Sequence, residues 1–195
     1  MQLIGKYFPG LTGEQSSLFE QLLRIVPKLN EQVNIISRKD IAHLEERHIL
    51  HSLAIARLFQ FGNGCYIVDA GTGGGFPGIP LAILFPMANF ILVDSIRKKI
   101  RMVEKITREL GLTNATPVWQ RIEDLELQAR FVVSRAVAPL STLHLWTREI
   151  LSPVSGLEDP PGGLIALKGG DLKAELEPFG NRVKCFPISD WFSEP

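Results

Sequence analysis

The chain has 195 residues, 45% apolar and 22% charged, and its 21 basic and 21 acidic side chains cancel to a formal net charge of zero. That size suits one α/β domain with a modest extension, and the zero balance argues against broad, non-specific binding to nucleic acid. No apolar run approaches the roughly twenty residues that a bilayer demands, and the first six residues lack the layout of a signal peptide, so a cytoplasmic protein is expected.

From about Thr12 to Leu58 the apolar spacing is helical. Leu18, Leu22 and Ile25 recur at three- and four-residue intervals, with Thr12 or Ser16 as a cap. Pro27 falls inside this run and is expected to kink or split it. Ser37 and Asp40 resemble the start of a second helix, whose buried stripe would be Ile41, Leu44, Ile49, Leu50 and Leu53. Phe61-Gly62-Asn63-Gly64 breaks the pattern, which divides a helical extension (1–62) from a domain of alternating elements (63–195).

In that second part, strands are expected at Cys65–Asp69, Asn89–Asp94, Ala115–Trp119, Phe131–Ser134 and Leu164–Lys168, with a further one near Arg182–Ile188. Helices are expected near Pro80–Phe85, Ile96–Leu110, Leu140–Leu151 and Leu172–Leu176, and a surface loop over Leu151–Pro161. Such alternation gives a mostly parallel sheet with helices on both faces, whose ligands bind at the carboxyl ends of the strands. Asp69, Asp94 and Arg135 all fall at or just past such ends. The cysteines, Cys65 and Cys185, sit beside or within predicted strands and are expected to be buried free thiols.

The block from Ile67 to Gly78 is the most informative stretch, because a short apolar run reaches Asp69 and breaks at once into glycines. Glycines permit positive φ and a close approach of backbone to ligand. Asp94, at the tip of the next apolar run, is placed to accept hydrogen bonds from ribose hydroxyls. Two cofactor classes compete. Gly73, Gly75 and Gly78 satisfy the dinucleotide spacing, but Phe76-Pro77-Gly78-Ile79-Pro80 is bulky and short of free N–H groups for a pyrophosphate. The loop better suits a ligand without phosphate, such as S-adenosylmethionine.

Other residues carry two readings each. Arg97, Lys98, Lys99, Arg101, Lys105 and Arg108 form either a solvated helix face or a phosphate-binding surface. Arg135 either grips a carboxylate or phosphate in the site, or pairs structurally with Glu123 or Asp124. His48 and His51 suggest a packed or substrate-facing pair, since no cysteine or acid cluster supplies the rest of a metal site. Asn34, Arg38 and Arg47 either touch RNA or cap and brace loops, and Trp119, Trp146 and Trp191 are read as packing residues.

Several blocks together resemble a known family: Asn34-Ile35-Ile36-Ser37-Arg38, Arg47-His48-Ile49-Leu50-His51-Ser52-Leu53, the glycine block from Asp69 to Leu81, Leu92-Val93-Asp94-Ser95, Arg121-Ile122-Glu123 and Ser134-Arg135-Ala136. From about residue 15 to residue 170 the chain resembles the 16S ribosomal RNA guanine-N7 methyltransferases, the glucose-inhibited division protein B family. The resemblance implies a Rossmann-like, S-adenosylmethionine-dependent methyltransferase fold behind a helical N-terminal extension. It implies cofactor contacts from Gly71, Phe76, Asp94, Ser95 and Ile96, with Ile122 and Glu123 near the adenine and Arg135 beside the site. It also implies small-subunit ribosomal RNA as partner, with a monomer expected, no membrane, no metal and no assigned catalytic residue. The chain departs from the family at Arg97, often glycine there, at Leu29, often tryptophan, and at His51, often aspartate. It also ends, at Pro195, short of the family's last sheet strand. Guanine N7 attacks a methyl sulfonium without losing a proton, so the absence of an obvious catalytic dyad fits. A methyltransferase for another RNA or a small molecule, and an inactive RNA-binding module, remain the alternatives; a dehydrogenase fits least.

Overall fold

A reciprocal cap starts the long N-terminal helix: the Gln15 amide donates to Thr12 Oγ1 at 3.1 Å, and the Thr12 amide to Gln15 Oε1 at 3.0 Å. The structure is a computed structural model and describes residues 1–33, 35–152 and 162–194, with Arg38 as backbone alone. Ahead of the cap lies a short helix that the apolar spacing does not predict, α1 (Gln2–Tyr7); the capped helix is α2 (Gly13–Val33). It runs through Pro27 as one element, so the split that the sequence allowed does not occur. The ring forfeits one intrahelical bond, and the burial of Phe19, Leu22, Val26 and Leu29 outweighs that loss. Leu18 and Ile25, expected in the stripe, are only half-buried.

The expected second helix is present but irregular. Ser37 caps α3 (Arg38–Ile41), accepting from the Asp40 amide at 3.1 Å. A π-helical segment, Leu44–Leu50, follows, then one α turn, α4 (His51–Leu53), and a 3₁₀ turn over Ala54–Arg57.

Five apolar runs then become β1 (Tyr66–Ala70), β2 (Asn89–Asp94), β3 (Ala115–Trp119), β4 (Phe131–Arg135) and β5 (Gly163–Leu167). All pair in parallel, in the order β3-β2-β1-β4-β5. The connecting helices are α5 (Gly78–Leu84), α6 (Arg97–Glu109) and α7 (Leu140–Thr147), with α8 (Lys173–Leu176) after β5. The order reverses beside β1, which opens a crevice at the carboxyl ends of β1 and β4. This is a Rossmann-like sheet.

Strand alternation sorts the core into two layers. Ile67, Phe90, Leu92, Phe131 and Val133 pack with α2, α5 and α6, so the N-terminal extension shares the core of the sheet. Val68, Ala70, Val93 and Val132 face the other way, against Ile150 and the α7 residue Trp146.

The strand expected near Arg182–Ile188 is not formed. Val183 has extended backbone angles, but no described residue pairs with this segment, whose Lys184, Cys185, Phe186 and Pro187 are exposed. Cys185 is therefore exposed and Cys65 half-buried, which corrects the expectation of two buried thiols. Among the described residues, no helix is long and apolar enough to cross a membrane. Most of the loop expected over Leu151–Pro161 lies outside the described residues.

Candidate active site

The end of β1 builds the floor of a cleft. Asp69 is wholly buried, and its Oδ2 accepts from Thr72 Oγ1 at 2.7 Å and from the Gly78 amide at 2.8 Å. Those bonds fold the turn back onto the strand. A Cβ at Gly78 would stand 2.2 Å from Leu92 and 2.7 Å from Asp69 Oδ2, so only glycine brings the start of α5 this close. Gly71 has φ +72, and a Cβ there would meet Val137 Cγ2 at 2.5 Å. Around Gly73, by contrast, an added Cβ would find only the Gly71 carbonyl, at 3.9 Å, which leaves bare backbone facing the cleft.

Asp94, at the end of β2, ties this turn to the next strand. Its Oδ2 accepts from the Gly73 amide at 3.0 Å and lies 3.4 Å from Lys99 Nζ, and its Oδ1 accepts from the Ile96 amide at 2.8 Å. A carboxylate offers about four acceptor directions, so one remains for an incoming hydroxyl.

The N-terminal extension closes the opposite wall. Buried Asn30 accepts the amides of Ile35 and Ile36, each at 2.9 Å, and donates to the Ile36 carbonyl at 2.7 Å. The resulting tight turn sets Ile35, Ile36 and Ser37 on the cleft. The cleft holds about 660 Å³, within the ordinary range for a small-molecule site.

Gly71, Phe76, Asp94, Ser95, Ile96, Ile122, Glu123 and Arg135 all border this one cleft. Ile96 is 49% exposed and Ile122 8%, so the two supply an open and a buried apolar surface. Phe76 is only 3% exposed, and its ring packs edge-on to His48 with centroids 5.3 Å apart. Glu123 is half-exposed and lies 3.4 Å from Arg121. Arg135, the last residue of β4, does not pair with Glu123 or Asp124. Its Nη1 donates to the Arg47 carbonyl at 2.9 Å, its Nη2 contacts His48 Nδ1 at 2.7 Å, and its guanidinium carbon lies 5.5 Å from the centre of the Phe76 ring.

This cluster has unusual electrostatics. Burial pushes the Asp69 carboxyl up to about 7, against the bonds from Thr72 and Gly78, and among the described residues its Oδ1 has no hydrogen-bond partner. Burial, and then the charge of Arg135, pushes His48 down to about 4 and His51 down as well. Among the described residues no group of three or more His, Cys, Asp or Glu is arranged to hold a metal ion. Beyond Arg135 the loop is held by Lys168, whose Nζ donates to the Ala138 carbonyl at 2.7 Å and pairs with Glu175. Ala136, between them, takes the left-handed φ of +51, a strain of about 1–2 kcal/mol for a residue with a side chain.

The basic run lies on α6. Arg97, Lys98, Arg101, Lys105 and Arg108 are exposed, and the Arg97 guanidinium carbon stands 4.8 Å from the centre of the Trp119 ring. Trp119, at the sheet edge and 55% exposed, donates from Nε1 to the Ser95 carbonyl at 3.0 Å. Asn34 and the side chain of Arg38 lie outside the described residues. Sequence reasoning missed Asn30, Ile35, Lys168 and the partners of Arg135. Only the buried polar Asn30, in an otherwise apolar stripe, left a signal to find.

The family model of the small-subunit ribosomal RNA methyltransferase G proteins (GidB) matches residues 15–186. The chain belongs to this family. Across the full chain it is 46% identical over 194 residues to the ribosomal RNA small subunit methyltransferase G of Christiangramia forsetii, covering 91% of that protein. The protein of the same name from Bacteroides fragilis is 47% identical over 194 residues, with 94% of its length covered. A candidate S-adenosyl-L-methionine-dependent methyltransferase of Methanococcus maripaludis superposes with a TM-score of 0.50 at 16% identity, over 73% of this chain and 70% of that one, which bears on the fold alone. The cleft fits S-adenosylmethionine. The bare backbone at Gly73 gives room, Asp94 keeps one free acceptor direction, and Ile96 and Ile122 present apolar faces.

Proposed function

We propose that the cleft transfers a methyl group from S-adenosylmethionine to N7 of a guanine in small-subunit ribosomal RNA. The observation that carries this reading is the family match over residues 15–186, which spans the glycine turn, Asp94 and Arg135 together. When bound, S-adenosylmethionine supplies a methyl group on a positively charged sulfur. Asp94 takes a ribose hydroxyl, Ser95 and Ile96 flank the sugar and base, and Ile122 with Glu123 borders the adenine. Gly71 and Phe76 shape the floor beneath the methionine end.

Guanine N7 carries an exposed lone pair. It forms the new bond to the methyl carbon as the carbon–sulfur bond breaks, and that electron pair stays on sulfur as a neutral thioether. No proton leaves, so the chain need supply no general base; positioning accounts for the rate. The positive charge passes to the purine. Arg135, held by Arg47, His48 and Phe76, holds a phosphate of the incoming nucleotide through its remaining N–H donors. The reading includes a cytoplasmic, monomeric enzyme whose extension (1–62) serves the methyltransferase domain (63–195) by walling its cleft.

Mass spectrometry of ribosomal RNA from a strain lacking the gene tests this. One 7-methylguanine should disappear from the small-subunit RNA and return on complementation. An unchanged set of modifications would overturn the assignment.

A further inference from the structure

Arg135 determines more than its own position. A guanidinium can only donate, so its 2.7 Å contact makes Nδ1 of His48 the acceptor. The proton of the neutral imidazole then sits on Nε2. Burial and the Arg135 charge, which push His48 down to about 4, keep the ring neutral and in that one tautomer at neutral pH. Among the described residues Nε2 has no hydrogen-bond partner, although the ring borders the cleft and is clamped edge-on against Phe76.

That spare donor matches a specific chemistry. Beside N7, guanine carries the acceptor O6, where adenine carries an amino group. A neutral ring N–H bonds to the first and opposes the second. An arginine taking O6 and N7 together would occupy the lone pair that must attack the methyl group. A single donor leaves N7 free. We propose that His48 is a specificity residue that reads guanine, donating from Nε2–H to O6 of the target base, with Arg135 as the positioning residue that fixes its tautomer. The proposal rests on the guanine-N7 reading above.

The test uses the full chain and small ribosomal subunits reconstituted with either guanine or 2-aminopurine, which lacks O6, at the methylated position. In His48→Ala the preference for guanine should shrink by about tenfold or more, through a slower reaction with guanine alone. His48→Gln, whose amide nitrogen reaches the place of Nε2, should keep most of the preference; His48→Asn, which is too short, should not. A readout without turnover is the nitrogen NMR spectrum of labelled imidazoles. At pH 7 His48 should appear as the neutral Nε2–H tautomer, and as a mixture in Arg135→Gln. Should His48→Ala fail to fold, the Gln and Asn variants and the wild-type spectrum decide. Equal slowing on both bases in His48→Ala, equal preference in the Gln and Asn variants, or a ring protonated on Nδ1, would overturn the proposal. A wild-type product other than 7-methylguanine would remove the guanine-N7 reading itself, and the proposal with it.

Discussion

Asp94 and Gly73, 21 residues apart in sequence, are joined by a 3.0 Å hydrogen bond from the glycine amide to the carboxylate. The acid that we propose takes a ribose hydroxyl is therefore also the clamp that holds the glycine turn against the second strand. Asp94→Ala should weaken S-adenosylmethionine binding by about 1.5–3 kcal/mol, the usual worth of hydrogen bonds to a charged group. Asp94→Asn, which can still accept from Gly73, should retain more of the fold's stability than of the affinity. Calorimetric titration with S-adenosylmethionine, S-adenosylhomocysteine and NAD measures this. Wild-type affinity in either folded variant, or tighter binding of NAD in the wild type, would count against the site.

Gly71→Ala should destabilise the protein for two separable reasons. The left-handed φ costs an alanine about 1–2 kcal/mol, and its Cβ would also collide with Val137, 2.5 Å away. Adding Val137→Ala should recover the collision and leave the backbone cost. If the double variant melts no higher than the single, Val137 is not the obstacle.

Asp69 and His48 bend stability with pH in opposite senses. The raised carboxyl of Asp69 keeps its proton in the fold after the unfolded chain has released it. Its contribution is full below about pH 4 and is lost as the pH rises through about 7. The depressed His48 stays neutral where an unfolded histidine would be charged, so its contribution is full above about pH 6.5 and is lost as the pH falls towards 4. Relative to wild type, Asp69→Asn should tilt stability upward with pH across that window, by at most about 1.4 kcal/mol per unit, and His48→Gln should tilt it downward. Urea titrations at a series of pH values would reveal the tilts. The same sign in both variants would refute the assignment.

Arg97, Arg101, Lys105 and Arg108 recur at helical spacing on the exposed side of α6, and Lys98 lies beside them. Lys99 does not belong to this set, because its ammonium is 3.4 Å from Asp94. If the stripe meets phosphates, changing Arg97, Lys98 and Arg101 to Ala should slow methylation of ribosomal RNA and spare cofactor affinity. The salt dependence should also become shallower by roughly 0.7–0.9 for each lost contact. An unchanged rate and salt slope would leave the stripe a solvated helix face.

The sheet was legible because each strand is an apolar run closed by a turn signal, and a buried parallel strand has few other ways to look. Of the eight residues bordering the cleft, Asp94 and Arg135 were legible as strand ends, whereas Gly71, Phe76, Ser95, Ile96, Ile122 and Glu123 came only from the family resemblance. What stayed hidden depends on contacts across the chain. The partners of Arg135 lie 87 and 88 residues away, and nothing near it in sequence distinguishes them from Glu123. Pro27 does not split α2, because tertiary burial sustains a helix that local propensity speaks against. The expected strand near Arg182–Ile188 has the right apolar content, but in the fold it has no ladder to join.

The π-helical segment over Leu44–Leu50 carries Arg47 and His48 into the cleft while burying Leu44, Ile49 and Leu50. Its wide turn accommodates one more residue than an α-helix of the same rise. A further residue inserted there would exceed what the wide turn absorbs, and everything after the insertion would rotate by about 100° against everything before it. The core side chains and the pair beneath Arg135 could not then both regain their places. This stretch should therefore accept substitutions on its outer side far more readily than an added residue.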